Sequence, residues 1–213
     1  MKKVYFISGL GADKRVFSFL DLSFCEPVFI DWITPQKKES LKDYSIRIKE
    51  HIKDDNPTIV GVSFGGMLAT EIAKYDRRVK AIIISSNQLS KELPGYFRLG
   101  KYLPFYKFVP SFLMKPTAML CKSLFGSKGK VQQKIFRQII NDTDPHFIKW
   151  AISAILRWNN NLKPENLIHI HGTGDKLLPY RLVKANYTIQ DGTHLMIIDK
   201  HKEISALLHN LVV

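Results

Sequence analysis

Apolar and polar residues alternate along the chain in two distinct rhythms. Six short runs are apolar and rich in branched residues: Val4 to Ser8, Pro27 to Asp31, Thr58 to Val62, Ala81 to Ser85, Leu167 to His171 and Ala185 to Ile189. Several are continuously apolar, the pattern of strands in a sheet covered on both faces. Between them, Lys14 to Leu20, Ser40 to Lys53, Gly65 to Tyr75 and Lys200 to Leu211 carry helical spacing. Strand and helix therefore alternate, which predicts βαβ units and a mostly parallel six-stranded sheet flanked by helices, with ligands bound at the carboxyl ends of the strands.

The alternation stops after the fourth strand. Residues 87–166 hold no convincing strand, and Pro94, Gly95, Pro104, Pro110, Pro116, Gly126, Gly129 and Pro145 divide them into short helical pieces, the clearest being Lys130 to Ile140 and His146 to Trp158. This stretch reads as a helical cap inserted into a core formed by residues 1–86 and 167–213. A length of 213 residues suits one domain with such an insertion.

Charge refines the cap. The formal net charge is +13, yet 13 Lys and Arg against 3 Asp and Glu fall between Gln88 and Lys163. A basic excess can mark a phosphate binder. Without a helix-turn-helix, zinc-finger or RNP signature, however, nucleic acid is not the expected partner. The cap also carries Tyr96, Phe97, Tyr102, Phe105, Tyr106, Phe108, Phe112, Phe125, Trp150 and Trp158. One reading gives this segment an acidic or amphiphilic acyl substrate, or peripheral contact with an anionic membrane. The plainer and preferred reading packs the aromatics on the sheet and leaves the lysines in water.

Two distant cysteines, Cys25 and Cys121, form no disulfide framework or zinc motif, and a reducing, cytoplasmic setting is expected. Met1 to Leu10 imitates a signal peptide, but Asp13-Lys14-Arg15 ends its apolar run early, so a first strand is the better reading. No run reaches the roughly eighteen consecutive apolar residues that mark a candidate membrane-spanning helix, so none is expected.

Four loops at predicted strand ends carry chemistry. Gly61-Val62-Ser63-Phe64-Gly65-Gly66 lies at a strand-to-helix junction, where small neighbours let a sharp turn expose the Ser63 hydroxyl at a helix N-terminus. GxSxG also arises by chance, and it is the junction that favours a nucleophile. Ser8-Gly9-Leu10-Gly11 follows the first strand and can aim the Leu10 N–H, together with that of Phe64, as an oxyanion hole; otherwise it is only a glycine turn. Asp175, after the fifth strand, is either the acid that orients a histidine or an Asx turn or cap. His194, after the sixth, follows Asp191-Gly192-Thr193 and completes the order Ser, Asp, His. His51, His201 and His209 fall on exposed helix faces, His146 lies in the cap, and His169 and His171 belong to a strand; none of these six is assigned a role.

In this order SGLG, GVSFGG, HGTGDKLLP and GTHL resemble the α/β-hydrolase superfamily over nearly all the chain except the cap. The resemblance implies a serine hydrolase with Ser63 as nucleophile, His194 as base, Asp175 as acid, and Leu10 and Phe64 N–H as oxyanion hole. It implies an ester or thioester of a small acyl substrate, with no metal or cofactor. The same triad also serves carbon–carbon bond hydrolases and lyases, and the scaffold serves non-catalytic binding proteins. Ser86-Asn87 offers no carboxylate as a rival acid. Three departures stand out: Ser8 replaces the histidine of many relatives, the chain begins at what is usually the third strand, and the short Asp175–His194 interval predicts a shortened helix there.

Overall fold

Each apolar run becomes a strand; the four central ones bury nearly all their branched side chains, while the runs from Pro27 and Ala185 lie at the sheet edges and stay half-buried or exposed except at Ile189. The computed structural model describes residues 1–102, 110, 125, 126 and 129–213. Strands β1 (Lys3–Ile7), β2 (Glu26–Ile30), β3 (Thr58–Val62), β4 (Lys80–Ile84), β5 (Leu167–Gly172) and β6 (Tyr187–Ile189) form one sheet in the order β2-β1-β3-β4-β5-β6. Every neighbouring pair is parallel, with Val60 opposite Ile82 and Ile83 opposite His169. All the carboxyl ends therefore share one edge. The order reverses between β1 and β3, so the loops leaving those two strands diverge from the crevice where such sheets bind ligands.

The period of two along each strand separates two cores. Tyr5, Ile7, Ile59, Ala81 and Ile83 face helices α1 (Leu41–Lys49) and α2 (Phe64–Tyr75). Val4, Phe6, Val60, Val62, Ile82 and Ile84 face the other layer, which holds the short α6 (Met196–Asp199) and α7 (His201–Val212). Helix α2 is apolar around most of its circumference, burying Met67, Leu68, Ala69, Ile72 and Ala73, because it lies between the sheet and α1. Each large apolar side chain among these contributes about 1.5–3 kcal/mol by burial. Ser40 caps α1 by accepting the Asp43 N–H at 3.1 Å, which starts that helix one residue later than the sequence pattern indicated.

Between β4 and β5 lie α3 (Gly95–Tyr102), α4 (Lys130–Asp142) and α5 (Pro145–Arg157). Pro145 opens α5 behind the Asp144 cap, whose side chain accepts the His146 N–H at 2.9 Å. Phe147, Ala151, Ala154, Ile155 and the following Trp158 join the same hydrophobic cluster as α1 and α2. Trp158 Nε1 donates to Glu71 Oε1 of α2 at 2.7 Å, and Trp150 Nε1 donates to the Glu39 carbonyl at 3.1 Å. Tyr96 and Tyr102 are exposed. Pro104, Phe105, Tyr106, Phe108, Phe112, Pro116 and Cys121 lie outside the described residues.

Three local expectations need correction. Lys14 to Leu20 forms only a 3-10 turn, Lys14–Phe17, because Asp13 takes the Arg15 N–H and tightens the start into i to i+3 bonds. No α-helix fills the Asp175–His194 interval, which holds a 3-10 turn at Tyr180–Leu182 and then β6. β6 begins at Tyr187 rather than Ala185: the Asn186 N–H donates to the His169 carbonyl at 2.8 Å, but the Asn186 side chain, not its backbone carbonyl, accepts the His169 N–H at 2.9 Å.

Gly61 and Gly65 lie back to back where β3 turns into α2. A Cβ on Gly65 would collide with the carbonyl oxygens of Ile7 and Ser8, and one on Gly61 with the backbone of Gly65. Backbone cannot yield as a flexible side chain does, so Gly65→Ala should cost about 3 kcal/mol or more, measured as a lower urea midpoint with an unchanged slope.

Candidate active site

Ser63 occupies the turn between β3 and α2 with φ 52° and ψ −116°, a conformation that costs a non-glycine residue of order 1–3 kcal/mol. Two bonds from β4 and its exit hold it there. The Ser63 N–H donates to the Ile84 carbonyl at 2.9 Å, and Ser86 Oγ donates to the Ser63 carbonyl at 2.7 Å. The strain is thereby imposed from outside the turn, and the hydroxyl is only half-buried.

His194 enters from the loop after β6. Gly172 and Gly192 pass so closely that a Cβ on Gly172 would overlap the Gly192 backbone, and the Gly174 N–H donates to the Gly192 carbonyl at 3.0 Å. This contact ties the loops after β5 and β6 together. His194 Nε2 then lies 2.9 Å from Ser63 Oγ, and its Nδ1 lies 2.8 Å from Asp175 Oδ2. The other Asp175 oxygen accepts the N–H groups of Leu177 at 2.9 Å and Leu178 at 2.8 Å. The Asx-type turn weighed against a functional Asp175 is thus present alongside the histidine contact, one oxygen serving each.

Burial alone would raise the Asp175 pKa. The charge and hydrogen bond of His194, the Leu178 N–H and nearby His171 outweigh it and hold the carboxyl below its ordinary value. An ionised carboxylate at Nδ1 fixes the proton there and leaves the Nε2 lone pair toward the serine, an arrangement able to take its proton.

The loop after β1 lies against Ser63. A Cβ on Gly9 would stand 3.3 Å from Ser63 Cβ. Ser8 closes the loop on itself by donating to the Ala12 carbonyl at 2.8 Å. Gly11 adopts φ +72°. Two side chains secure the loop from outside, and neither was recognised in the sequence. Trp32 Nε1 donates to the Ala12 carbonyl and Thr143 Oγ1 to the Gly11 carbonyl, both at 2.6 Å. Nothing local to Trp32 or Thr143 signals these long-range bonds. The N–H groups of Leu10 and Phe64 have no acceptor among the described residues, and that of Phe64 opens α2, where the helix dipole favours negative charge. On the other side, the Phe125 ring meets His194 edge-on at 5.5 Å between centroids.

His169 and His171, given no role above, are fully buried, and His171 Nε2 lies 3.5 Å from Asp175 Oδ2. Their i, i+2 spacing on a strand, which puts both on one face, was the available signal. His51 and His209 are exposed as expected, whereas His201, placed with them, is half-buried with its Nδ1 2.9 Å from the Ile198 carbonyl; His146 is exposed.

A family model described as the alpha/beta hydrolase fold matches residues 36–200, and the chain belongs to that family. Among solved structures, a carboxylesterase of the ammonia-oxidising thaumarchaeon Nitrososphaera gargenis superimposes with TM-score 0.76 at 17% identity, over 99% of this chain and 89% of that one. An esterase from Exiguobacterium antarcticum gives 0.73 at 15% identity over 100% and 92%. A lipase-esterase related protein from Clostridium acetobutylicum gives 0.73 at 15% over 99% and 94%. At these identities the likeness is one of fold. No curated protein matches the chain by sequence.

A carboxyl held below its ordinary value contributes stability that is complete above the unfolded-state pKa, near 3.8, and lost as the pH falls through the lower folded value. Asp175→Asn removes that titration. Its unfolding free energy should therefore fall less steeply than that of the wild type below about pH 4, measured by urea denaturation at successive pH values.

Proposed function

We propose that this protein is a serine hydrolase that cleaves an ester or thioester of a small or acyl-chain substrate through an acyl-enzyme. The observation that carries the reading is the unbroken hydrogen-bonded line from Asp175 through His194 to Ser63 at a strained strand-to-helix turn. In this mechanism His194 Nε2 takes the Ser63 proton as Oγ attacks the carbonyl carbon. The N–H groups of Leu10 and Phe64 receive the charge that develops on the oxygen. His194 passes its proton to the departing alkoxide or thiolate. Water then attacks the acyl-enzyme, giving a proton to His194, which returns it to Ser63 as the acid leaves.

The cleft beside the Leu10 loop supports a neutral, apolar substrate group. It encloses about 250 Å3 and is walled by Trp32, Ile33, Pro35, Ile139 and Phe147. Asp13, Asp142 and Asp144 stand at its edge, and Arg15 is already paired with Asp13 at 2.6 Å and Asp142 at 2.7 Å. Three carboxylates beside one guanidinium leave this lining with net negative charge that repels an anionic substrate group, which favours the plainer reading of the basic cap over an acidic substrate.

Intact-mass labelling with a fluorophosphonate tests the chemistry without choosing a substrate. One adduct per wild-type chain is expected, none on Ser63→Ala, and labelling slowed about 1,000-fold in His194→Ala. A folded wild type that takes no label sinks the proposal and leaves a binding protein on this fold. Given a labelled serine, neutral esters should be cleaved with higher kcat/KM than carboxylate-bearing esters of equal length. Poor turnover of both beside efficient cleavage of a diketone would transfer the same residues to carbon–carbon bond hydrolysis.

A further inference from the structure

Next to Asp175 runs a second hydrogen-bonded line whose members take no part in the proposed hydrolysis. His169 and His171 project from the same face of β5 with their rings 5.0 Å apart. Gln88 Nε2 lies 2.9 Å from His169 Nδ1 and donates to the Lys184 carbonyl at 3.0 Å. His169 Nε2 lies 3.0 Å from His171 Nδ1, and His171 Nε2 lies 2.8 Å from the Leu178 carbonyl. Gln88 and both histidines are buried to within 1%.

The direction of this line follows from its ends, because a carbonyl oxygen can only accept. The Leu178 carbonyl requires a proton on His171 Nε2, so neutral His171 accepts at Nδ1. His169 must then carry its proton on Nε2 and accept at Nδ1 from Gln88, whose second N–H goes to Lys184. Reversing the chain would set the His171 Nε2 lone pair against the Leu178 oxygen. Burial, with His171 and Lys163 nearby, takes His169 down to about 3. Burial also lowers His171, against the opposing pull of Asp175 and Leu178. Both rings are thus neutral, each in a single tautomer.

We propose that Gln88, His169 and His171 are positioning residues that hold the Asp175–Leu178 turn so that Oδ2 is presented to His194; the inference rests on the serine hydrolase reading above. Leu178 is gripped at both backbone groups, its N–H by Asp175 Oδ1 at 2.8 Å and its carbonyl by His171 Nε2 at 2.8 Å. With Oδ1 occupied by Leu177 and Leu178, Oδ2 is left for His194, and the His171 N–H stands 3.5 Å from the same oxygen. Without that N–H the Leu178 carbonyl is buried and unpaired. The turn then loosens, and the carboxylate can rotate away from His194 Nδ1. The charged or titratable groups around the line are Asp175 and His194 toward the serine, Lys163 toward His169, and the Tyr180 ring, 6.4 Å from His171.

The test compares the intact protein with His171→Leu, which removes the donor, and His171→Gln, whose amide can donate to the Leu178 carbonyl. Two readouts are taken: the fluorophosphonate labelling rate per folded molecule, and the titration of His194 followed by NMR. His171→Leu should label about 10- to 100-fold more slowly, a loss of the size seen when outer hydrogen-bond partners of functional ligands are removed. KM for a neutral ester should stay near the wild-type value. The His194 titration should move to lower pH, since a displaced Asp175 no longer stabilises the imidazolium, and His171→Gln should restore both readouts to within about 3-fold.

A lower melting temperature with wild-type labelling and an unmoved His194 titration would make the line merely structural and overturn the proposal. If His171→Leu does not fold, Gln88→Leu breaks the line at its far end, and the same two readouts decide. A wild type that takes no label at all fails the serine hydrolase reading. The His194 titration still speaks to positioning in that case: a shift in His171→Leu reversed in His171→Gln supports it, and no shift overturns it.

Discussion

The backbone of Ser63 is the constraint from which the site follows. Its φ of 52° is unfavourable for any side chain, and the turn cannot relax because its surroundings are rigid on every side. Below it, Gly61 and Gly65 bring β3, α2 and the end of β1 closer than any side chain would permit. From β4 and its exit, the bonds to Ile84 and Ser86 fix both of its backbone groups. The large apolar faces of α2 and the sheet supply the stabilisation that offsets the strain. The hydroxyl accordingly emerges at one fixed point over the sheet edge, and every other group has to be brought to it.

That delivery is made by parallel strands and by ties between loops that are remote in sequence. The loop after β1 is held by Trp32 from beyond β2 and by Thr143 from the turn between α4 and α5. The loops after β5 and β6 are joined through Gly172, Gly174 and Gly192. Arg15 and Asp142 add an ion pair with both partners more than a third exposed, whose contribution is small beside the buried hydrogen bonds. Polar groups oriented before any substrate arrives do not have to reorganise as charge develops, which is the usual source of electrostatic stabilisation in such sites.

The six strands and the four loops were legible because their signals are local. Branched apolar runs such as Ile82-Ile83-Ile84 suit only a sheet covered on both faces, and the elbow glycines mark a close approach wherever they occur. What escaped is non-local. His169 and His171 look like ordinary strand residues until Gln88, 81 positions away from His169, comes beside them. The grip of Thr143 on Gly11 spans 132 positions and has no counterpart in spacing or composition. Seven residues after Asp13 fit a helix and a 3-10 turn equally well by periodicity, and the Asp13–Arg15 bonds decide between them. The shortened helix expected between Asp175 and His194 is absent, because the touching glycine loops leave a helix no role in bringing the two together.

The described helices between β4 and β5 are not interchangeable parts. Helix α5 donates Phe147, Ala151, Ala154 and Ile155 to the cluster that also seats α1 and α2, and Trp158 reaches the buried Glu71 carboxylate of α2, which it shares with Lys74. In α3, Tyr96 and Tyr102 are exposed and Phe97 is only half-buried against the same cluster. A chimera that exchanged the whole stretch between β4 and β5 for that of another hydrolase would remove a wall of the central core along with Phe125, whose ring lies against His194. Divergence in substrate preference, whether in nature or at the bench, has a freer path through α3 than through α5, whose replacement would have to be matched by changes on α1 and α2.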